Sequence, residues 1–233
     1  MSSILHVRPW AKAPPTAATE AASADASAAQ LRLVEGLRSN LPWARAALID
    51  RYGEHVRRVL VRVLGAHDSE IEDLAQETFL AALQGVQKLT NPDAFAGWLT
   101  SIAVFSARST IRRRQRWRWL RPSENVDQVA SPGASAEMRD AAACVYRILN
   151  EMPADERVAF SLRMFEGYEL EELAEICDMS LATLRRRLAS AQKRFDDKAS
   201  RSETLAPWMA MAKATQRSRV AAATEPDQEP HDE

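Results

Sequence analysis

From Leu31 to Val63 apolar side chains return every third or fourth residue: Leu31, Val34, Leu37, Leu41, Ala44, Leu48, Tyr52, Val56, Val59, Leu60 and Val63. Such a spacing collects on one face of an α-helix and scatters over both faces of a strand. The segment therefore reads as one or two helices, and Gly65 can end the run. The same period returns further along, and no convincing stretch of β-branched alternation interrupts it. Seven glycines in 233 residues, beside abundant Ala, Leu, Arg and Glu, agree with an all-α fold.

Helix boundaries can be read locally. Ser69 and Glu72 have the spacing of a capping box, which predicts a helix from Ser69 to about Leu83. On it Ile71, Leu74, Ala75, Thr78 and Ala82 share an apolar side. Glu70, Asp73, Gln76, Glu77 and Leu80 share an acidic, partly apolar outer side. Asn91 and Pro92 supply an N-cap and a first-turn proline for the next helix. That helix reads FAGWLTSIAVFSARSTIRRRQRWRWLR. Phe95, Trp98, Leu99 and Ile102 form its core stripe, and residues 108–121 hold seven Arg and no acid. Arginines beside exposed aromatic rings suit nucleic acid, through phosphate neutralisation and base stacking at roughly 1–3 kcal/mol per base. A solvated basic face is the plainer reading of the same residues.

The chain divides in two. Residues 1–29 form a low-complexity, alanine-rich lead expected to have little fixed structure, and residues 30–119 form a first helical domain. Residues 120–140, rich in Ser, Pro and Gly, form a flexible linker. Residues 141–201 form a second helical domain, and 202–233 a C-terminal extension, partly disordered. That extension contains LAPWMAMAKA, around Leu205, Trp208, Met209 and Met211, which could dock on the body or bind a partner. The net charge is −1, so any nucleic-acid surface must come from segregated charge. Residues 150–180 hold nine acids against two Arg, and residues 181–201 hold seven Lys or Arg against two Asp.

In the second domain, Leu170–Cys177 and Leu181–Asp197 read as two helices joined by a tight turn, a helix-turn-helix. Leu170, Leu173, Ala174 and Cys177 face inward, Met179 plugs the turn, Asp178 adopts the left-handed conformation and Ser180 caps the second helix. Leu184, Leu188, Ala191 and Phe195 make that helix's inner stripe. Its outer face carries Ala182, Thr183, Arg186, Ala189, Ser190 and Lys193, flanked by Arg185 and Arg187, a surface that fits a major groove. For any one of these arginines a phosphate is the commoner contact.

No Gly-rich phosphate loop, nucleophile motif or metal-ligand spacing is present, so neither enzyme, cofactor nor metal is expected. Cys144 and Cys177 lack CxxC spacing and read as buried hydrophobes. MSSILHVRPW has no apolar signal core and no segment is long and apolar enough to span a membrane, so a cytoplasmic location is expected.

The motifs RYGEHVRRVL at 51–60, EDLAQETFLAAL at 72–83, FAGWLTSIA at 95–103, the Arg run at 112–118 and MPADERVAFSLRMFEGYELEELAEICDMSLATLRRRLASAQKRF at 152–195 stand in a telling order. Residues 44–119 and 143–197 together resemble regions 2 and 4 of the extracytoplasmic-function (ECF) sigma factors, within the sigma-70 family. The resemblance implies a bacterial transcription initiation factor that binds core RNA polymerase and promoter DNA, with an anti-sigma factor as a further partner. Asp73, Gln76, Glu77 and Leu80 would meet the polymerase clamp. Val104, Phe105, Arg108, Arg112, Arg113, Arg114 and Arg116 would face the minus-ten element. Ala182, Thr183, Arg185, Arg186, Arg187, Ser190 and Lys193 would read the minus-35 element.

The chain departs from the family pattern where an Arg-Asn pair is common, having Val104-Phe105 instead, and Phe105 can pack or stack but cannot read a base by hydrogen bonds. Glu169 also stands where a Ser cap is common. Opening about a dozen base pairs costs on the order of 15 kcal/mol, beyond what a few stacked bases return, so melting requires the polymerase. The alternative is a helix-turn-helix regulator that works at an operator without joining polymerase.

Overall fold

The computed structural model describes residues 17–118 and 135–211, with side chains for residues 25–117 and 135–211. It contains α1 (Ala17–Arg38), α2 (Pro42–Leu64), α3 (Ile71–Gly85), α4 (Phe95–Arg118), α5 (Ala136–Asn150), α6 (Ala154–Ser161), α7 (Leu170–Ile176) and α8 (Leu181–Ala199). Residues 206–211 are also helical, and there is no strand among the described residues. None of these helices is long and apolar enough to cross a membrane.

The first four helices form one bundle. Leu48, Val56, Val59, Leu60 and Val63 of α2 are buried against Leu74 of α3 and Phe95 and Leu99 of α4, following the helical stripe read from sequence. Gly36 of α1 lies directly under Trp43, where an added Cβ would come within 2.6 Å of the indole. Only glycine lets the helices meet so closely at that corner. Asn40 takes the left-handed conformation at φ 58° between them. Gly65 ends α2, as expected, at φ 108°.

Several boundaries differ from expectation. α1 begins at Ala17, inside the alanine-rich lead expected to lack fixed structure, because a run of good helix formers extends an already nucleated helix. The Ser69 capping box does not form. Glu70 is the N-cap, with no side-chain cap, and its amide donates instead to Asp68 Oδ1 at 3.0 Å. Asn91 does cap, accepting from the Asp93 amide, but the element it opens is a short 3-10 turn leading into α4. α5 starts at Ala136, within the segment assigned to the linker, because Ser135 caps it by accepting from the Met138 amide. The rest of that linker, like residues 1–16 and 212–233 of the two extensions, lies outside the described residues.

The second bundle, α5–α8, has its own core of Cys144, Ile148, Leu149, Met152, Phe160, Ala191 and Ala199. Leu205 is buried in it and Met209 packs against it, so this part of the C-terminal extension docks on the body. α6 loosens into a single π-helical turn, Leu162–Glu166, which Gly167 closes in the left-handed conformation. The two bundles also share a core. Val158, Leu162, Leu173, Cys177 and Leu184 lie in the same buried cluster as Val104, Ala107 and Ile111 of α4.

Candidate polymerase and nucleic-acid interfaces

The outer face of α3 is open. Asp73, Gln76, Glu77 and Leu80 are all exposed, Leu80 by 53%. Ile71, Leu74, Ala75, Thr78 and Ala82 are buried on the opposite side. The Thr78 hydroxyl is satisfied by donating to the Leu74 carbonyl at 2.7 Å. An acidic face with an exposed leucine at its far end suits a basic partner surface that also offers an apolar pocket.

On α4 the expected DNA residues separate. Val104 has no exposed surface and belongs to the shared core, which removes it from any DNA face. The helix carries a second apolar stripe through Ala103, Val104, Ala107 and Ile111, in the cluster shared with α7 and α8. Phe105, one residue on, is 61% exposed, with the Arg108 guanidinium 5.9 Å from its ring centre. Trp98 is half-buried and packs on Phe95.

Most of the basic run is neutralised within the chain. Arg114 grips Asp68, with its Nη2 at 2.7 Å from Oδ1, and also meets Glu70 at 2.8 Å. Arg113 also pairs with Glu70. Burial would raise the Asp68 carboxyl, but hydrogen bonds from Arg114 and the Glu70 amide hold it below the usual carboxylate range. Arg112 pairs with Asp155 of α6 at 2.8 Å, and Arg108 donates to the Cys177 carbonyl at 3.1 Å. Among the described residues, Arg116 is the candidate arginine on α4 with no acidic partner, and Trp117 beside it is 62% exposed.

The turn of the helix-turn-helix is as the sequence read it, but two residues expected on or beside the outer face of α8, Arg187 and Ser190, are drawn toward α6. Asp178 is left-handed at φ 53°, and the Ser180 hydroxyl accepts from the Thr183 amide at 3.2 Å and donates to the Thr183 hydroxyl at 2.9 Å. Glu169 makes no side-chain cap. Ala182, Arg185, Arg186 and Lys193 are exposed on α8. Thr183 is half-buried. Arg187 and Ser190 turn toward α6. Ser190 donates to Glu156 at 2.9 Å, and Arg187 lies 3.9 Å from Asp155.

Sequence reasoning missed the groups that join the bundles. Arg157 is 4% exposed and donates to the Val63 carbonyl at 2.7 Å and the Leu64 carbonyl at 3.0 Å. It thereby satisfies the last carbonyls of α2, which a helix end leaves without partners. Burial pushes its pKa down to about 10, so it remains cationic at neutral pH. Glu166 accepts from Arg58 at 3.1 Å and Arg62 at 3.0 Å, and Tyr146 donates to the Val61 carbonyl. The available sequence signal was the excess of acid between residues 150 and 180.

A helical bundle with an open acidic face, joined on one chain to a helix-turn-helix with a basic outer face, defines a two-module transcription factor. Known proteins narrow this further. Residues 48–117 match sigma-70 region 2 and residues 142–194 match sigma-70 region 4, together just over half of the chain. The ECF RNA polymerase sigma-E factor of Haemophilus influenzae is 28% identical over 181 residues, covering 71% of this chain and 93% of that protein. The sigma-E factor of Escherichia coli K12 is 29% identical over 180 residues, covering 71% and 92%.

Among solved structures, CnrH in complex with the cytosolic domain of CnrY aligns with a TM-score of 0.51 at 21% identity, covering 71% of this chain and 93% of that one. The Bartonella quintana sigma factor RpoE, in complex with the anti-sigma factor NepR, aligns at 0.50 and 22% identity, covering 66% and 94%. The chain belongs to the sigma-70 family, in its extracytoplasmic-function group. It is a non-enzymatic, polymerase-binding initiation factor that directs polymerase to promoters, and the stand-alone regulator is not favoured.

Proposed function

We propose that the chain divides promoter recognition among three faces. The α3 face of Asp73, Gln76, Glu77 and Leu80 docks on core RNA polymerase. The outer side of α4, with Phe105, Arg116 and, once their internal pairs are broken, Arg108, Arg112, Arg113 and Arg114, meets the minus-ten element. The N-terminal half of α8 enters the major groove of the minus-35 element. There Arg185 and Arg186 reach bases or phosphates, and Ala182 and Thr183 allow close approach.

The observation that carries this reading is the exposure of Ala182, Arg185, Arg186 and Lys193 on a capped helix after a left-handed turn, on the same chain as the open acidic α3 face. Glu70 and Asp68 hold Arg113 and Arg114 in place, so these two act first as structural residues and contact phosphate only at the edge of the site. The protein works in the cytoplasm with polymerase, and the closed pairing of its two modules is a form that an anti-sigma partner can clasp.

Run-off transcription with purified core polymerase on the chain's own upstream DNA tests the assignment. A specific transcript that depends on the chain is expected. Its absence with a competent polymerase refutes the reading.

A further inference from the structure

Glu156 on α6 is a carboxylate almost without water. Its side chain keeps 5% of its surface, and each of its oxygens meets a residue of α8. The Ser190 hydroxyl donates to Oε1 at 2.9 Å, and Arg194 Nε lies 3.0 Å from Oε2. Taking a charge this far out of water is costly, and an apolar side chain of similar size in such a place often leaves stability unchanged or raises it. Stability alone therefore does not explain a Glu at this position.

Its two partners share one side of α8. Ser190 and Arg194 are four residues apart and lie one above the other, and a turn earlier Arg187 lies 3.9 Å from Asp155, the neighbour of Glu156 on α6. This polar side stands between the two other sides of the helix. Leu184, Leu188, Ala191 and Phe195 form the inner stripe, where Phe195 meets Phe160 of α6 at 5.0 Å between ring centres. Ala182, Arg185, Arg186 and Lys193 are exposed.

Apolar burial is not directional, whereas hydrogen bonds to a charged group fix distance and angle together. An inner stripe of Leu, Ala and one ring therefore tolerates a roll of α8 that a carboxylate held at two points does not. A roll of about 20° moves the rim of a helix by about 2 Å. Groups that read a ligand must be held within about 0.5 Å and about 10–20° of their productive geometry.

We propose that Glu156 is a positioning residue for minus-35 recognition. Through Ser190 and Arg194 it fixes the roll of α8 about its own axis, and so sets where Arg185 and Arg186 enter the groove. Ser190 serves α6 rather than a base, and Glu156 itself touches no DNA. The role rests on the reading of α8 as the minus-35 helix and deepens it.

The test is run-off transcription by the full chain with purified core polymerase, on its own upstream DNA and on templates with each minus-35 base pair changed singly. Arg185→Ala and Arg186→Ala identify the positions that those two side chains read. Glu156→Leu should stay folded, with a urea midpoint close to that of wild type. Its preference for the unchanged template should fall about tenfold, equivalent to about 1.4 kcal/mol, at the positions of both arginines. Glu156→Gln, which still accepts from Ser190, should lie nearer to wild type.

A folded Glu156→Leu that keeps the wild-type preference overturns the proposal. So does a Glu156→Gln as indifferent as Glu156→Leu, since the loss then follows charge rather than position. Should Glu156→Leu unfold, Ser190→Ala decides, with a loss expected over the same positions. No loss there, or a loss at one base pair alone, which would mark Ser190 as a base reader, overturns the proposal as well. A wild-type chain indifferent to every change refutes the α8 assignment itself, whereas a discriminating wild type beside an equally discriminating variant refutes only the role of Glu156.

Discussion

Val104 and Phe105 are neighbours on α4 that face opposite surroundings, the first with no exposed surface and the second 61% exposed. Val104→Arg places a charge in the core shared by the two modules and should cost about 3 kcal/mol or more in urea unfolding. Phe105→Ala should leave stability within about 0.5 kcal/mol. It should lower open-complex formation by the holoenzyme about tenfold, from the loss of one stacked base at roughly 1–3 kcal/mol. Permanganate reactivity of the melted strand measures that step.

Acid should loosen the loop between α2 and α3 before the rest of the first module. The carboxyls of Asp68 and Glu70 are held below their ordinary values by Arg114, with Arg113 adding to Glu70, against a burial effect of opposite sign. The unfolded chain therefore binds more protons than the folded one as these groups titrate. Their stabilisation is present above the unfolded values near pH 4 and is lost as pH falls through the folded ones. Thermal unfolding from pH 7 to pH 3 should show a steep decline, flattened in Asp68→Asn.

Asp73→Ala with Glu77→Ala should leave the fold intact, since both side chains are exposed on α3. The affinity for core polymerase should fall about tenfold, near 1.4 kcal/mol. Competition with a labelled reference sigma factor provides the measurement.

On α8, Arg186 and Lys193 should fail differently. Arg186→Ala should relax sequence preference at one position of the minus-35 element by about 1–3 kcal/mol. Lys193→Ala should weaken all sequences alike and reduce the salt slope by about 1. Titrations of matched and mismatched duplexes at several salt concentrations separate the two.

Leu205 anchors the start of the C-terminal extension in the core of the second module at 5% exposure, whereas Trp208 beside it is 44% exposed. Leu205→Ala should cost about 2–3 kcal/mol and Trp208→Ala within about 0.5 kcal/mol, both read by thermal unfolding.

The sequence disclosed whatever depends on spacing within one helix. Leu184 and Ala191 are inside α8 and Arg185 and Arg186 outside it, because a turn of 100° per residue needs no knowledge of the rest of the fold. The same holds for α3, and for the turn made by Asp178 and Ser180. It did not disclose what depends on a distant segment. Val104 was expected to face the minus-ten element beside a single core stripe, and the second stripe has meaning only when residues of α7 and α8 cover it. The arginine run contained no acid of its own, yet Asp68, Glu70 and Asp155 reach it from outside. Ser69 had the right spacing for a cap, but Asp68 serves the Glu70 amide and Arg114 together, which moves the helix start to Ile71.

The bond from Arg157 to the Val63 carbonyl joins residues 94 apart in sequence. Contacts within the first bundle close far shorter loops, and loops that long form later than local helices do. A chain growing from its N-terminus therefore completes the first module while the end of α2 is still unsealed and Arg108 and Arg112 still lack Asp155. For that interval during synthesis, Arg108 and Arg112 of the newborn first module are without the carboxylate that they meet in the finished fold.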